Sequence, residues 1–241
     1  MNVIHFRIQG RFGHFLRAEA NASAPSYPVP PRTALLGLIG AVLGLSKDSP
    51  QAELEPASIA LRGLIPHTYW HKIKLRKDPP EALPKVVKRT QKVDKQTKPE
   101  KATLIAQEWL LNPVYHVWAT LPEPYHAELS ARLKERRWYF QPCLGLTELM
   151  ADLVWEESLE AKQLSDGVYR IDTVFPQNSG DLDMGAIFAE RLVLHALRMP
   201  RLVTPDRVFT HASYLMEKEA RPVPLKTEQA FQAGKTVILF M

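Results

Sequence analysis

Cysteine is almost missing from this chain: Cys143 is the single one among 241 residues. That excludes an internal disulfide framework and fits a reducing compartment. Long apolar runs are missing too. The N-terminus MNVIHFRIQGRFGHF holds no secretory h-region. The longest apolar run, Ala34 to Leu45, is far short of the roughly 20 residues that a bilayer span requires. These absences predict a soluble, cytoplasmic protein that makes no membrane contact. Nucleotide-cradling motifs are absent as well. There is no Walker sequence, and the glycine-bearing GLIGAVLG lies inside an apolar helical pattern rather than after a strand. Hydrophobic content of 45% and charged content of 24% are those of an ordinary globular chain. Its length allows one large domain or two small ones.

What is present is concentrated. Between Lys72 and Lys101 stand eleven Lys or Arg against four Asp or Glu, a local excess of +7, while the whole chain carries +5. The rest of the protein is therefore slightly acidic. The same stretch has prolines at 79, 80, 84 and 99 and neither glycine nor an aromatic residue. It cannot build a core, and its prolines spoil an amphipathic basic helix of the membrane-surface kind. An inserted basic arm on a near-neutral domain points to nucleic acid; a solvated loop that serves only solubility is the plain alternative.

Val3 to Ile8 alternates, with Ile4, Phe6 and Ile8 on one face, and predicts a strand. Ser26 to Pro31 is held extended by its prolines. A helix is predicted from Arg32 to Leu45, with Gly37, Gly40 and Gly44 on one face, suited to close approach of a sheet or a ligand. Ile59 to Leu75 alternates throughout and predicts one long strand that aligns Lys72, Lys74 and Arg76 on one side. After the arm, NPVYHVWATL predicts a strand and Tyr125 to Arg137 a helix. Met150 to Glu160 is compatible with either strand or helix. Taking it as strand, the order is β-α-β-(arm)-β-α-β, the ferredoxin-like order of an α+β domain. The reading is then a domain over 1–165, with the insertion at about 72–108, and a smaller β-rich part over 166–241. Strands are predicted there at Gly167–Phe175, Val208–Leu215 and Thr236–Phe240.

The candidate chemistry is sparse. His67 and His71 lie four apart in HTYWH, but no further ligands stand nearby to complete a metal site, so no metal is expected. Cys143 reads as a small buried residue. His67, Tyr69, His71 and Lys72 are residue types that metal-independent RNA cleavage would need: a base, an acid and a cation for the phosphorane. Against that stands a structural reading, with Tyr69 in the core, the histidines beside it and Lys72 at the edge of an RNA surface.

Three groups of motifs carry a resemblance. Phe15-Leu-Arg-Ala-Glu-Ala20 is followed by Ser26-Tyr-Pro-Val-Pro-Pro-Arg-Thr33 and the glycine-bearing helix. Trp109-Leu-Leu-Asn-Pro-Val-Tyr-His-Val-Trp118 precedes Cys143-Leu-Gly-Leu-Thr-Glu148. Pro222-Val-Pro-Leu-Lys226 and Gly234-Lys-Thr-Val-Ile-Leu-Phe240 close the chain. Together they resemble the Cas-five family, the RAMP-superfamily subunit of type I CRISPR Cascade complexes. The resemblance implies a ferredoxin-like, RRM-like RAMP domain with a basic thumb between its second and third strands. It implies a subunit that caps the 5′ handle of the crRNA, joins the Cascade backbone and large subunits, and meets target DNA through the complex. No cofactor is implied. By the same resemblance Arg17, Ser26, Tyr27 and Arg32 would line the handle site, and Lys72, Lys74, Arg76, Lys88, Arg89 and Lys92 would steer or clamp the RNA. One branch of the family cuts precursor RNA with a tyrosine near the helix start and a Lys-His pair. Here Arg32-Thr33 follow the prolines, Tyr27 stands earlier, and His71-Lys72 has the reverse order. The departures favour a non-catalytic subunit; the alternative is a metal-independent endoribonuclease that processes precursor repeats.

Overall fold

The computed structural model describes residues 1–76 and 102–241. β1 (Asn2–Gln9) runs through the middle of a six-stranded sheet and is paired on both sides, antiparallel to β6 (Val114–Thr120) and to β7 (Asp152–Gln163). β3 (Ser58–Arg62) borders β6, and with β14 (Phe231–Ala233) and β15 (Thr236–Ile238) the sheet order is β15-β14-β7-β1-β6-β3. Counting β1, β3, β6 and β7 as first to fourth along the chain, their order across the sheet is fourth, first, third, second, with every neighbour antiparallel. Of the segment Met150–Glu160, open between strand and helix in sequence, residues 152–160 belong to β7, and Met150 makes an isolated bridge to Cys143.

The alternation in β1 has its expected consequence. Ile4, Phe6 and Ile8 are fully buried and sit opposite Ala119, Val117 and Tyr115 of β6. Above that face lie α1 (Arg32–Leu43) and α3 (Tyr125–Glu135), which contribute Leu35, Leu36, Ile39, Val42, Leu129 and Leu133 to the same core. On the other face His5, Arg7, His116 and Trp118 alternate with them, and His5 stacks on Trp118 with ring centroids 4.4 Å apart.

α1 begins after Pro31, which is extended, and ends at Gly44, whose φ of +82° supplies the left-handed cap that a side chain would resist. The glycine stripe does not press on the sheet or open to a ligand as one surface. A Cβ on Gly40 would lie 2.3 Å from Cγ of Pro50, the first residue of the short α2 (Pro50–Glu53), so Gly40 serves helix–helix contact. Gly37 faces open space.

The long alternating stretch Ile59–Leu75 is two strands. β3 ends at Arg62, the backbone N–H of Ile65 is taken by the carbonyl of Lys218, and β4 (Thr68–Arg76) starts afresh. Gly63 and Pro66 interrupt the ladder between them. β4 leaves the main sheet and forms a hairpin with β5 (Ala102–Leu111), whose base is edged by β2 (Phe12–Gly13).

Residues 166–241 contain more strands than the alternation predicted. β8 (Gly167–Ile171), β13 (Val223–Thr227) and β10 (Asp181–Leu182) form one small sheet. β9 (Phe175–Pro176), β12 (Phe209–Glu217) and β11 (Leu194–Val203) form another, with α4 (Met184–Ala189) between. β14 (Phe231–Ala233) pairs with β7, and β15 (Thr236–Ile238) pairs with β14, so the chain end completes the main sheet. Leu197, Met199, Tyr214, Met216 and Met241 enter the main core, while Ile171, Phe175, Ile187, Leu215, Val223 and Leu225 form a second cluster within residues 166–241.

Candidate nucleic-acid interface

The motifs that are scattered in sequence meet around His14. Its backbone N–H donates to the carbonyl of Leu144, and its buried ring donates from Nδ1 to the carbonyl of Glu108 at 2.7 Å. Burial lowers the His14 pKa, which favours the neutral ring. Gly145 follows with φ +94°, and a Cβ there would fall 1.7 Å from the His14 carbonyl oxygen. Only glycine fits the turn in Cys143–Glu148 for that reason. Next along the chain, the Phe15 N–H donates to Ser26 Oγ, Ser26 Oγ donates to the Tyr27 carbonyl, and the Ser26 N–H donates to Glu108 Oε2. Ala24 adds itself beside β5 through paired backbone bonds with Ala106 and Glu108. Tyr115, fully buried, donates to the Pro28 carbonyl at 2.7 Å. The proline segment, β5, β6 and the Leu144–Gly145 turn are thus one hydrogen-bonded unit.

That unit decides what the predicted site residues can do. Ser26 and Tyr27 are buried, and burial raises the Tyr27 pKa. Their side chains bond the backbone of Phe15, Tyr27 and Ala18 and so hold the proline segment in shape. Arg17 is exposed; its Nε donates to the Ser26 carbonyl, and its guanidinium lies 5.8 Å from the Tyr27 ring centre. Arg32 is only 1% exposed and donates to three carbonyls, those of Glu55 at 2.5 Å, Ala57 at 2.9 Å and Arg201 at 3.5 Å. Burial, reinforced by the neighbouring Arg201, lowers its pKa. It ties the first turn of α1 to the approach to β3 and to β11, beside a cavity of about 540 Å³ that Arg201, Asn178 and Tyr214 also line.

The hairpin has two different faces. Thr68, Trp70, Lys72 and Lys74 project from one, opposite Leu110, Glu108, Ala106 and Leu104 of β5. Lys72 and Lys74 are exposed there, as the alternation predicted, and Trp70 is 50% exposed. Arg76 closes β4 with its backbone paired to Ala102. Tyr69, His71 and Ile73 project from the other face. Tyr69 is 51% exposed, so it is not a core residue as the structural reading of HTYWH expected. Trp109 lies directly across from it in register, His71 and Trp109 approach to 4.9 Å between ring centres, and Trp109 and Phe12 to 5.2 Å. Tyr69 and His71 are 6.4 Å apart with planes 27° from parallel. The Arg11 guanidinium sits 5.4 Å from the Phe12 centre. Sequence reasoning missed this aromatic strip because Phe12, Tyr69, His71 and Trp109 come from three strands and only the β4–β5 and β2–β5 pairings join them.

Lys88, Arg89 and Lys92 lie outside the described residues. Cys143 is half-buried rather than buried, and burial raises its thiol pKa. Among the described residues no helix is long and apolar enough to cross a membrane, and no group of three or more His, Cys, Asp or Glu is placed to hold a metal ion.

Three solved structures share the fold across nearly their whole length. A chain of a "CRISPR RNA-guided surveillance complex" has a TM-score of 0.54 at 13% identity, covering 92% of this chain and 91% of its own. A "CRISPR protein from Archaeoglobus fulgidus" has a TM-score of 0.56 at 16% identity, covering 99% and 98%. A further "Cas protein" has a TM-score of 0.50 at 14% identity, covering 94% and 98%. No curated protein matches in sequence. A family model does, described as CRISPR-associated protein (Cas_Cas5), over residues 3–229. That span takes in the proline segment, the hairpin strands and the Leu144–Gly145 turn, and the chain belongs to the CRISPR-associated Cas5 family.

Proposed function

We propose that this chain is a non-catalytic, RNA-binding subunit of a cytoplasmic type I CRISPR effector complex of the Cascade kind. In this reading it binds and caps the 5′ handle of the crRNA, joins the backbone and large subunits, and meets target DNA only through the assembled ribonucleoprotein. Family membership and the fold shared with a surveillance-complex chain support an effector subunit. The order of β7, β1, β6 and β3 supports a ferredoxin-like RAMP domain.

The observation that carries the reading is the hairpin β4–β5. It leaves the main sheet between its second and third strands, is fixed at its base to the proline segment, and holds Lys72 and Lys74 exposed on one face. Cations on an exposed ribbon grip single-stranded RNA through its phosphates, whatever the bases. Arg17 adds a cation beside the proline segment, while Ser26, Tyr27 and Arg32 act by shaping that segment and the start of α1.

The non-catalytic part of the proposal is supported by strand geometry. Tyr69 and His71 share one face of β4 while Lys72 points to the other, so the three do not converge on one phosphate. Two experiments test the proposal. In the purified complex, photo-crosslinking from the crRNA 5′ handle should reach this subunit; a handle that crosslinks only to other subunits sinks it. The chain alone, incubated with repeat RNA in EDTA, should leave the RNA intact, and a 2′,3′-cyclic phosphate product would establish the endoribonuclease instead.

A further inference from the structure

The second face of the hairpin is not used by a phosphate grip. Phe12, Trp109, His71 and Tyr69 form a continuous row of rings, with neighbouring centres 5.2, 4.9 and 6.4 Å apart. In a folded core such a row would be covered. Here Tyr69 is half open and the other three are partly so. Trp109 is held in place, its Nε1 donating to Gln107 Oε1 at 2.9 Å. Arg11 stands at the Phe12 end of the row.

We propose that this row is a base-stacking platform for single-stranded RNA, on which two or more unpaired bases lie while the phosphates run toward Arg11 and the edge of the hairpin. The inference rests on the RNA-binding reading above and adds to it a second mode of contact, to bases rather than phosphates. Three observations favour RNA over a protein partner. The row includes a polar ring, His71, with Gln107 opposite it, rather than forming a wholly aliphatic patch. The strands that carry the rings are basic as a whole, with Lys72 and Lys74 on the face opposite the row. Thr68–Arg76 carries three Lys or Arg and no acid, and the one acid of Ala102–Leu111, Glu108, is taken up by the Ser26 N–H. A cation also lies at the end of the row, the arrangement in which aromatic and guanidinium groups share a nucleic-acid strand. Such stacking accepts any base, since every base has a π-face, so the platform would hold the strand without reading its sequence.

This gives the HTYWH segment a role that is neither catalytic nor part of the core. The test is fluorescence anisotropy of the full chain with a short single-stranded oligoribonucleotide and with an abasic oligomer of equal length and charge. Tyr69→Ala combined with His71→Ala should weaken binding to the base-bearing strand by about five- to a hundredfold for each stacked base lost. The same variant should leave abasic binding and the salt slope unchanged. Tyr69→Phe should bind like the parent, and both variants should keep the parent circular dichroism. Equal loss of base-bearing and abasic binding, or no loss of either, overturns the platform. If the variant binds RNA normally but no longer enters the complex, the row is a protein contact and the inference is wrong. The broader reading fails separately. A parent chain that shows no salt-dependent RNA binding removes the RNA-binding proposal itself, whereas binding indifferent to Lys72→Ala with Lys74→Ala removes only the lysine face as its grip.

Discussion

The central strands and the hairpin use the same period-two alternation for opposite ends. In β1 the odd face is mixed, with Val3 buried and His5 and Arg7 half-buried, and the even face is sealed under α1 and α3, with Ile4, Phe6 and Ile8 fully buried. In β4 neither face is sealed: Trp70 and the lysines occupy one, and Tyr69 and His71 the other. Alternation fixes which residues travel together, and whether a face is core or surface is decided by what packs on it. In β1 two helices do so; nothing among the described residues covers β4 in that way.

The contrast can be broken most severely from the core side. Phe6→Ala should cost about 3–5 kcal/mol of unfolding free energy, read from thermal or urea melts. Tyr69→Ala, the equivalent truncation on the hairpin, should stay within about 0.5 kcal/mol. Comparable losses would mean that the hairpin face is part of the core after all. Next in size is Glu217, a buried carboxylate at the end of β12. Burial pushes its pKa up, but hydrogen bonds from the Arg221 backbone and guanidinium and from the Glu219 and Val193 N–H groups pull it down further, leaving it below the usual carboxylate range. Its contribution is therefore present above the unfolded value of about 4.3 and is lost as pH falls through the lower folded value. Glu217→Gln should cost about 1–3 kcal/mol at neutral pH and flatten the acid limb of the stability profile.

On the hairpin, Lys72→Ala with Lys74→Ala should leave the melting temperature unchanged. It should reduce the salt slope of RNA binding by up to about 1.4, if each lysine meets one phosphate of a single strand. An unchanged slope would return that face to plain solvated surface. The smallest effect concerns His5, His14 and His116, whose pKa values are all lowered chiefly by burial. Because the folded state holds them neutral, stability should be full above about pH 6.5 and decline as pH falls below it toward the folded values. His14→Gln should shrink that decline; a pH profile indifferent to the change would show that His14 titrates alike in both states.

Much of the central sheet was legible because its signals are local. The alternation of β1, the proline before α1, the strand at Val114–Thr120 and the period of α3 all depend on neighbours in sequence. What escaped depends on distant ones. The break between β3 and β4 is held by a bond from Ile65 to Lys218. β11 carries Pro200 at a register shift and β13 carries Pro224, residues that argue against strand in a local reading. At the site, the exposure of Lys72 and Lys74 followed from alternation alone. The burial of Arg32 did not, because its acceptors are carbonyls of Glu55, Ala57 and Arg201. Exposed cation and buried cation look the same in a sequence.

Glu108 has a mechanical consequence. Its carboxylate and its carbonyl hold Ser26 and His14, and its N–H is bonded to Ala24, so one residue of β5 clasps three points of the segment that leads to α1. The hairpin is thereby a lever with its fulcrum at its root. A ligand that tugs on β4 and β5 loads the proline segment directly, before any strain reaches the pairing of β1 with β6 and β7.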